Sequence, residues 1–212
     1  MSESVIPELY KRYFIDKQDE RRTLFKKLAD KYKPGKGIYP GSFTHITPSF
    51  YIPDMTYVDS DKRIARFFRD PHVLAFLEQN KNYQGAVKFH GIQADFSHPL
   101  NVPDKSFDIM FSFYAGLISQ DCKRYLKDGG ILVCNNSHGD ASIAYVDTDY
   151  KLEAVVNRRG DDFTISQMSL DQFFQKRDGT SIDREKVKQK LIGENFTKKA
   201  YAYIFRYRNP WT

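Results

Sequence analysis

Two cysteines and one tryptophan stand in 212 residues. Cys122 and Cys134 carry no metal-ligand spacing around them, which argues against a zinc ribbon or a disulfide scaffold and leaves both as reduced core residues. No apolar run reaches the length that spans a bilayer, and no charged, apolar and small-residue leader opens the chain. The expectation is a cytoplasmic protein without a membrane partner. A glycine-rich pyrophosphate loop is also missing, which ranks a dinucleotide-dependent oxidoreductase last among enzymes built on an α/β sheet. There is no internal repeat, low-complexity tract or second-domain linker, so the length predicts a single domain over 1–212.

What is present is an aromatic fraction of 15%, from 17 Phe and 14 Tyr, and a formal charge of +6. The charge is uneven. Residues 1–36 sum to +4, residues 37–175 to −4 and residues 176–212 to +6. Basic ends are compatible with a nucleic-acid partner, but solvated helix faces explain them more simply.

Along the chain, Ile6, Leu9, Tyr10 and Phe14, then Leu24, Phe25, Leu28 and Tyr32, recur at helical spacing. They predict an N-terminal helical segment over 1–36, broken near Asp16 and ended at Pro34. From 37 to 147 short apolar runs alternate with helical ones. Strands are expected at "GIYPG", "MTYVD", "AVKFHGIQAD", "FDIMFSF" and "GGILVCNNS", and helices at "RIARFFRD", "PHVLAFLEQ", "SQDCKRYLK" and "DASIAYV". Thr47 before Pro48 reads as a helix cap. Over 148–212, "YKLEAVV" and "DFTISQ" flank a turn at Gly160, Ser169 and Gln172 suit a capping box, "DREKVKQKLI" is helical and "KKAYAYIFRYR" is a closing strand. The pattern predicts a doubly wound α/β protein: a mainly parallel, seven-stranded Rossmann-like sheet with an antiparallel C-terminal strand and N-terminal helices. In such sheets the informative residues follow the strands.

At residues 101–133, "NVPDKSFDIMFSFYAGLISQDCKRYLKDGGILV", the sequence resembles the class I S-adenosylmethionine-dependent methyltransferases. Ser106-Phe107-Asp108 opens a strand, Arg124-Tyr125-Leu126-Lys127 ends a helix, and Gly129-Gly130 is expected to close that helix in a left-handed turn before the next strand. The likeness covers roughly 35–147. It implies S-adenosylmethionine as cofactor and a first cofactor loop at Tyr39, Pro40, Gly41 and Ser42. It further implies a ribose-binding acid at Asp59 beside Ser60, an adenine site at Asp95 and Phe96, and a meeting point of cofactor and acceptor at Ser112 and Phe113. Asp61 is an alternative ribose acid. The first loop departs from the family pattern, since only Gly41 matches and Phe43 stands where a second glycine is common.

The implied reaction is methyl transfer, in which an enzyme contributes positioning and, where the nucleophile carries a proton, a base. His45, Tyr114 and His138 are the candidates for that base; no metal site is expected. "SFYAG" replaces the tetrapeptide of the nucleic-acid amino-methylating enzymes, and no Pro-Cys pair serves cytosine, which favours a small-molecule or protein acceptor over DNA. The competing reading is a methyltransferase-like binding module without catalysis, docking on nucleic acid through its basic termini.

Overall fold

A computed structural model of the chain describes residues 5–208, so the ends of the expected 1–212 domain lie outside the described residues. Eight strands form one sheet: β1 (Lys36–Pro40), β2 (Asp54–Asp59), β3 (Lys88–Gln93), β4 (Phe107–Ser112), β5 (Leu126–Cys134), β6 (Tyr150–Arg159), β7 (Asp162–Ser166) and β8 (Ala202–Tyr207). Their order is β3-β2-β1-β4-β5-β8-β6-β7. β1 to β5 pair in parallel, β8 runs antiparallel between β5 and β6, and β7 is antiparallel to β6. The eighth strand, one more than the sequence predicts, arises because both arms of the hairpin at Gly160 join the sheet.

The apolar runs of β1, β2, β4 and β5 are continuous because the middle of the sheet is buried on both faces. The pleat deals alternate residues to two cores. Tyr39, Met55, Tyr57, Ile109, Phe111, Ile131 and Val133 pack on one face, where α2 (Arg22–Tyr32) contributes Leu24, Phe25 and Leu28. Ile38, Val58, Met110, Leu132 and Cys134 pack on the other, with Ala141 and Ala144 of α6 (Asp140–Val146). Burial of each large side chain contributes about 1.5–3 kcal/mol.

The N-terminal segment is a short helix, α1 (Glu8–Tyr10), running on as a π turn over Lys11–Ile15, and the break expected near Asp16 separates it from α2. Lys33, at φ +48°, closes α2 ahead of Pro34. α3 (Arg63–Phe67) precedes α4 (Pro71–Asn80), where Asp70 caps by accepting from the His72 amide at 2.9 Å and Pro71 supplies the first turn. α7 (Arg184–Lys190) is capped by Asp183.

Four local expectations are corrected. The helix expected over "SQDCKRYLK" is only α5 (Ile118–Asp121) and a 3-10 turn at Lys123–Tyr125. β5 begins at Leu126, so Gly129 and Gly130 end no helix; residues 127–130 bulge between the pairings Phe107↔Leu126 and Ile109↔Ile131. A Cβ on Gly130 would stand 2.8 Å from the Lys127 carbonyl oxygen, which is why the bulge takes glycine there. Thr47 begins the 3-10 turn Thr47–Phe50 without capping it, because its hydroxyl is 2.8 Å from that of Tyr10. Ser169 makes no capping bond either, and Gln172 instead accepts from Lys198 Nζ at 2.9 Å.

Candidate functional site at the carboxyl ends of β1 to β4

From β1 the chain builds outward through β2 and β3, then returns to lay β4 on the other side of β1. That reversal opens a crevice at the carboxyl ends of β1 and β4, the usual ligand position in such sheets. Gly41 leaves β1 at φ +68°, its amide donating to the Val58 carbonyl at 2.8 Å. A Cβ on Gly41 would lie 2.1 Å from the Ala115 Cβ and 3.8 Å from the edge of the Phe96 ring. Gly116, at φ +126°, faces the same ring. The loops after β1, β3 and β4 therefore meet at one point, and both space and dihedral require glycine at 41.

Asp59 ends β2 and braces this loop. Its Oδ2 accepts from the Phe43 amide at 2.8 Å and its Oδ1 from the Asp61 amide at 2.9 Å. Phe43, itself at φ +46°, is covered by the Tyr13 ring, edge-on at 5.0 Å, and by the Arg63 guanidinium at 4.6 Å. Arg63 also pairs with Asp61 at 2.7 Å and holds that carboxyl down to about 2. Of the two candidate ribose acids, Asp59 is thus the one turned to the loop and Asp61 the one committed to an arginine. Ser60 between them is exposed.

Asp95 sits just beyond β3 and is exposed. It accepts from the Ser97 amide at 2.9 Å and the Ser97 hydroxyl at 2.8 Å, which hold its pKa low. With Phe96, Ala115, Gly116, Leu117 and Gln120 it lines an open cleft of about 540 Å3. Burial and the Asp95 charge push Asp121, at the same cleft, upward.

Ser112 and Phe113 end β4 without opening onto this cleft. Ser112 is buried and donates its hydroxyl to Asp140, whose other oxygen accepts from the Ser119 amide at 2.9 Å. Burial pushes Asp140 up to about 6, against the pull of those hydrogen bonds. Phe113 is buried between Phe25, Tyr39 and the Arg21 guanidinium, the last 5.0 Å from its ring. Sequence reasoning singled out neither Asp140 nor Arg21. Asp140 opens a helix just past a strand, a position that could have signalled it; Arg21, in a charged stretch before α2, gives no such signal.

The three candidate bases are in unlike surroundings. His45 is buried, its ring stacked flat on Phe14 at 4.2 Å, with Nδ1 3.3 Å from the Tyr39 hydroxyl and Nε2 3.1 Å from the Glu20 carbonyl. Burial first, and then the Arg21 charge, drive its pKa far down. It pins the N-terminal segment to the first loop as a neutral ring. Tyr39 is equally enclosed, and burial pushes its phenol up to about 12. Pro40 is the buried last residue of β1, and Ser42 is buried with its hydroxyl donating to the Phe43 carbonyl. His138 follows β5, half-buried, 3.0 Å from the Ser137 hydroxyl. Tyr114 is 54% exposed at φ +60°, the most open of the three. Among the described residues no group of three or more His, Cys, Asp or Glu could hold a metal ion, and no helix is long and apolar enough to cross a membrane.

No protein-family model matches the chain, and no curated protein matches it. Solved structures do. A methyltransferase from Geobacter sulfurreducens aligns over 98% of this chain and 91% of its own at 11% identity, with a TM-score of 0.51. A proposed S-adenosyl-L-methionine-dependent methyltransferase from Methanococcus maripaludis aligns over 99% and 98% at 14% identity, with a TM-score of 0.50. With the [4+2]-cyclase SpnF the overlap is shorter, 54% of this chain at 16% identity and a TM-score of 0.42, and the chain spans 44% of that protein. At these identities the likeness is one of architecture: the mostly parallel sheet with antiparallel C-terminal strands, flanked by helices, is the Rossmann-like methyltransferase fold.

Proposed function

We propose that the protein is an S-adenosylmethionine-dependent methyltransferase acting on a small-molecule or protein acceptor. The observation that carries this reading is the convergence of Gly41, Phe96, Ala115 and Gly116 at the switch point, with Asp59 bracing the first loop. These residues fit the cofactor. Each Asp59 oxygen keeps a further lone pair, so the carboxylate can accept from ribose hydroxyls while it holds the loop. The cleft beside Asp95 and Phe96 is large enough for a purine, with an acceptor for an amino group and a ring to pack on it. Once the segment carrying Ala115 moves off Gly41, the glycine backbone is free for the close approach that the amino-acid end of the cofactor requires. When bound, the cofactor supplies an electrophilic methyl group; the chain supplies orientation and exclusion of water. Of the candidate bases, exposed Tyr114 is the one this reading retains at the meeting point of cofactor and acceptor.

A second reading, a binding module without catalysis, is favoured by one contact: Ala115 seats directly on Gly41. Cofactor entry between the first loop and the loop after β4 requires the segment at 113–117 to swing outward, about Gly116. Calorimetry with S-adenosylmethionine and S-adenosylhomocysteine separates the two. The expected result is saturable heat at one site per chain. A folded sample giving no heat with either ligand at high concentration would remove the methyltransferase reading and leave the module.

A further inference from the structure

The end of α7 carries an unfavourable residue. Leu191 closes that helix at φ +49°, its amide donating to the Val187 carbonyl at 2.9 Å. The position ordinarily takes glycine or asparagine, because a Cβ strains a left-handed backbone. Packing does not offset the strain: Leu191 is 46% exposed and belongs to neither core. Its side chain lines instead the cleft of about 540 Å3 that holds Phe96, with Leu117 as a further apolar wall. Strain of this kind clusters where ligands are held.

The polar side chains of the same cleft are engaged, with one exception. Asp95 accepts twice at Oδ1, from the Ser97 amide at 2.9 Å and the Ser97 hydroxyl at 2.8 Å, and His98 Nδ1 lies 3.7 Å from its Oδ2. Gln120 accepts from Arg184 Nη2 at 2.8 Å and donates to Asp147 at 2.9 Å. Lys188 reaches Glu185 at 3.2 Å. Asp121, exposed at the end of α5, is the exception: its carboxylate makes no hydrogen bond or ion pair among the described residues. It lies within the field of Asp95, and a carboxylate can only accept. Apolar side chains from two segments and a free acceptor are what a flat ring carrying an amino group needs.

We propose that this cleft binds an amino-bearing ring between Phe96 and Leu191, and that Asp121, rather than Asp95, accepts from the amino group. The identity of the ring rests on the methyltransferase reading, on which it is the adenine of the cofactor. Asp95 holds the Ser97 turn beneath it. The cleft is open as it stands, so a purine enters without the outward swing of 113–117.

The test uses the full chain and two nucleosides, adenosine and inosine, which differ in carrying an amino or an oxo group on the purine ring, titrated by ligand-observed NMR. Adenosine is expected to bind about tenfold tighter, as a charge-assisted hydrogen bond implies. Leu191→Gly and Leu191→Asn both suit the left-handed position, so the helix end survives. Each should weaken the two nucleosides alike, about fivefold, the loss that roughly 40 Å2 of apolar contact implies. Asp121→Asn changes an exposed, unpaired side chain and keeps the fold. It should weaken adenosine about tenfold and leave inosine unchanged or tighter, because an amide can donate to the oxo group; Asp95→Asn should keep the adenosine preference. Equal binding of the two nucleosides to the wild type, wild-type affinity in either Leu191 variant, a preference that survives Asp121→Asn, or one lost in Asp95→Asn would overturn the assignment. Calorimetry with S-adenosylhomocysteine on the same proteins separates the two failures. Heat unchanged in Leu191→Gly and Asp121→Asn removes the ring site and leaves the methyltransferase reading; adenosine preference without S-adenosylhomocysteine heat leaves the ring site and removes that reading.

Discussion

Replacing Gly41 with alanine adds one methyl group where the structure has neither space nor a suitable dihedral for it. The added Cβ would stand 2.1 Å from that of Ala115, at φ +68°. The left-handed dihedral costs a non-glycine residue roughly 1–2 kcal/mol, and overpacking a closed contact typically adds about 1–3 kcal/mol. Gly41→Ala should therefore lose about 2–5 kcal/mol, and each kcal/mol lowers the melting temperature of a chain this size by about 2–4 °C. Gly85→Ala provides the reference, because Gly85 has φ +89° with nothing within 4 Å of its would-be Cβ; it should show the dihedral cost alone. Ala115→Gly on the Gly41→Ala background should return the overpacking part and no more. Urea denaturation of the five proteins, wild type, Gly85→Ala, the two single variants at 41 and 115 and their double variant, gives both contributions through the double-mutant cycle. If Gly41→Ala is no worse than Gly85→Ala, or if Ala115→Gly restores nothing, the two loops are not in contact and the closed crevice is wrong. The same variants report on ligand: Gly41→Ala should abolish cofactor heat, whereas Ala115→Gly alone should strengthen it by easing the outward swing.

Asp140, raised in the fold to about 6 from an ordinary 3.8, binds more protons folded than unfolded across that window. Stability should therefore fall as pH rises from about 4 to 6, by a few kcal/mol at about 1.4 kcal/mol per pKa unit. Asp140→Asn should flatten that slope in urea titrations, and an unchanged slope would remove the charge from that position. His45 acts in the opposite sense: its depressed pKa gives stability that is present above pH 6.5 and lost as pH falls below it. His45→Phe should reduce the loss between pH 6.5 and 5. Asp59→Asn presents an N–H to one of two backbone amides and should cost about 1–3 kcal/mol in chemical denaturation while weakening cofactor heat; stability unchanged would mean that Asp59 does not brace the loop.

The centre of the sheet was legible because β1, β2, β4 and the second half of β5 are buried on both faces, which leaves continuous apolar runs with no competing helical reading. Its eighth strand was visible as a hairpin arm but not as a sheet member, since the hairpin joins the sheet only where β6 pairs with β8, far along the chain. Gly129 misled because a bulge and a helix end ask for the same left-handed backbone, here φ +77°. The site was legible by position, as strand ends, and illegible by partner. Nothing local announces that Ser112 bonds to Asp140 or that Arg21 lies over Phe113, contacts spanning 28 and 92 residues. The first loop shows best what sequence pattern omits. A family loop with several glycines owes its course to backbone freedom, whereas here Asp59 fixes the Phe43 amide and Tyr13 and Arg63 cover the Phe43 ring. A loop held by side chains from three elements does not need those glycines to keep its course. On the proposed methyltransferase reading the burden then falls on Ala115, whose seat against Gly41 a cofactor would have to displace. Binding should accordingly be slow and weakened by the fraction of time the crevice is open, so that Ala115→Gly raises the association rate more than it changes dissociation. Stopped-flow measurements showing the reverse would mean that entry does not depend on that contact.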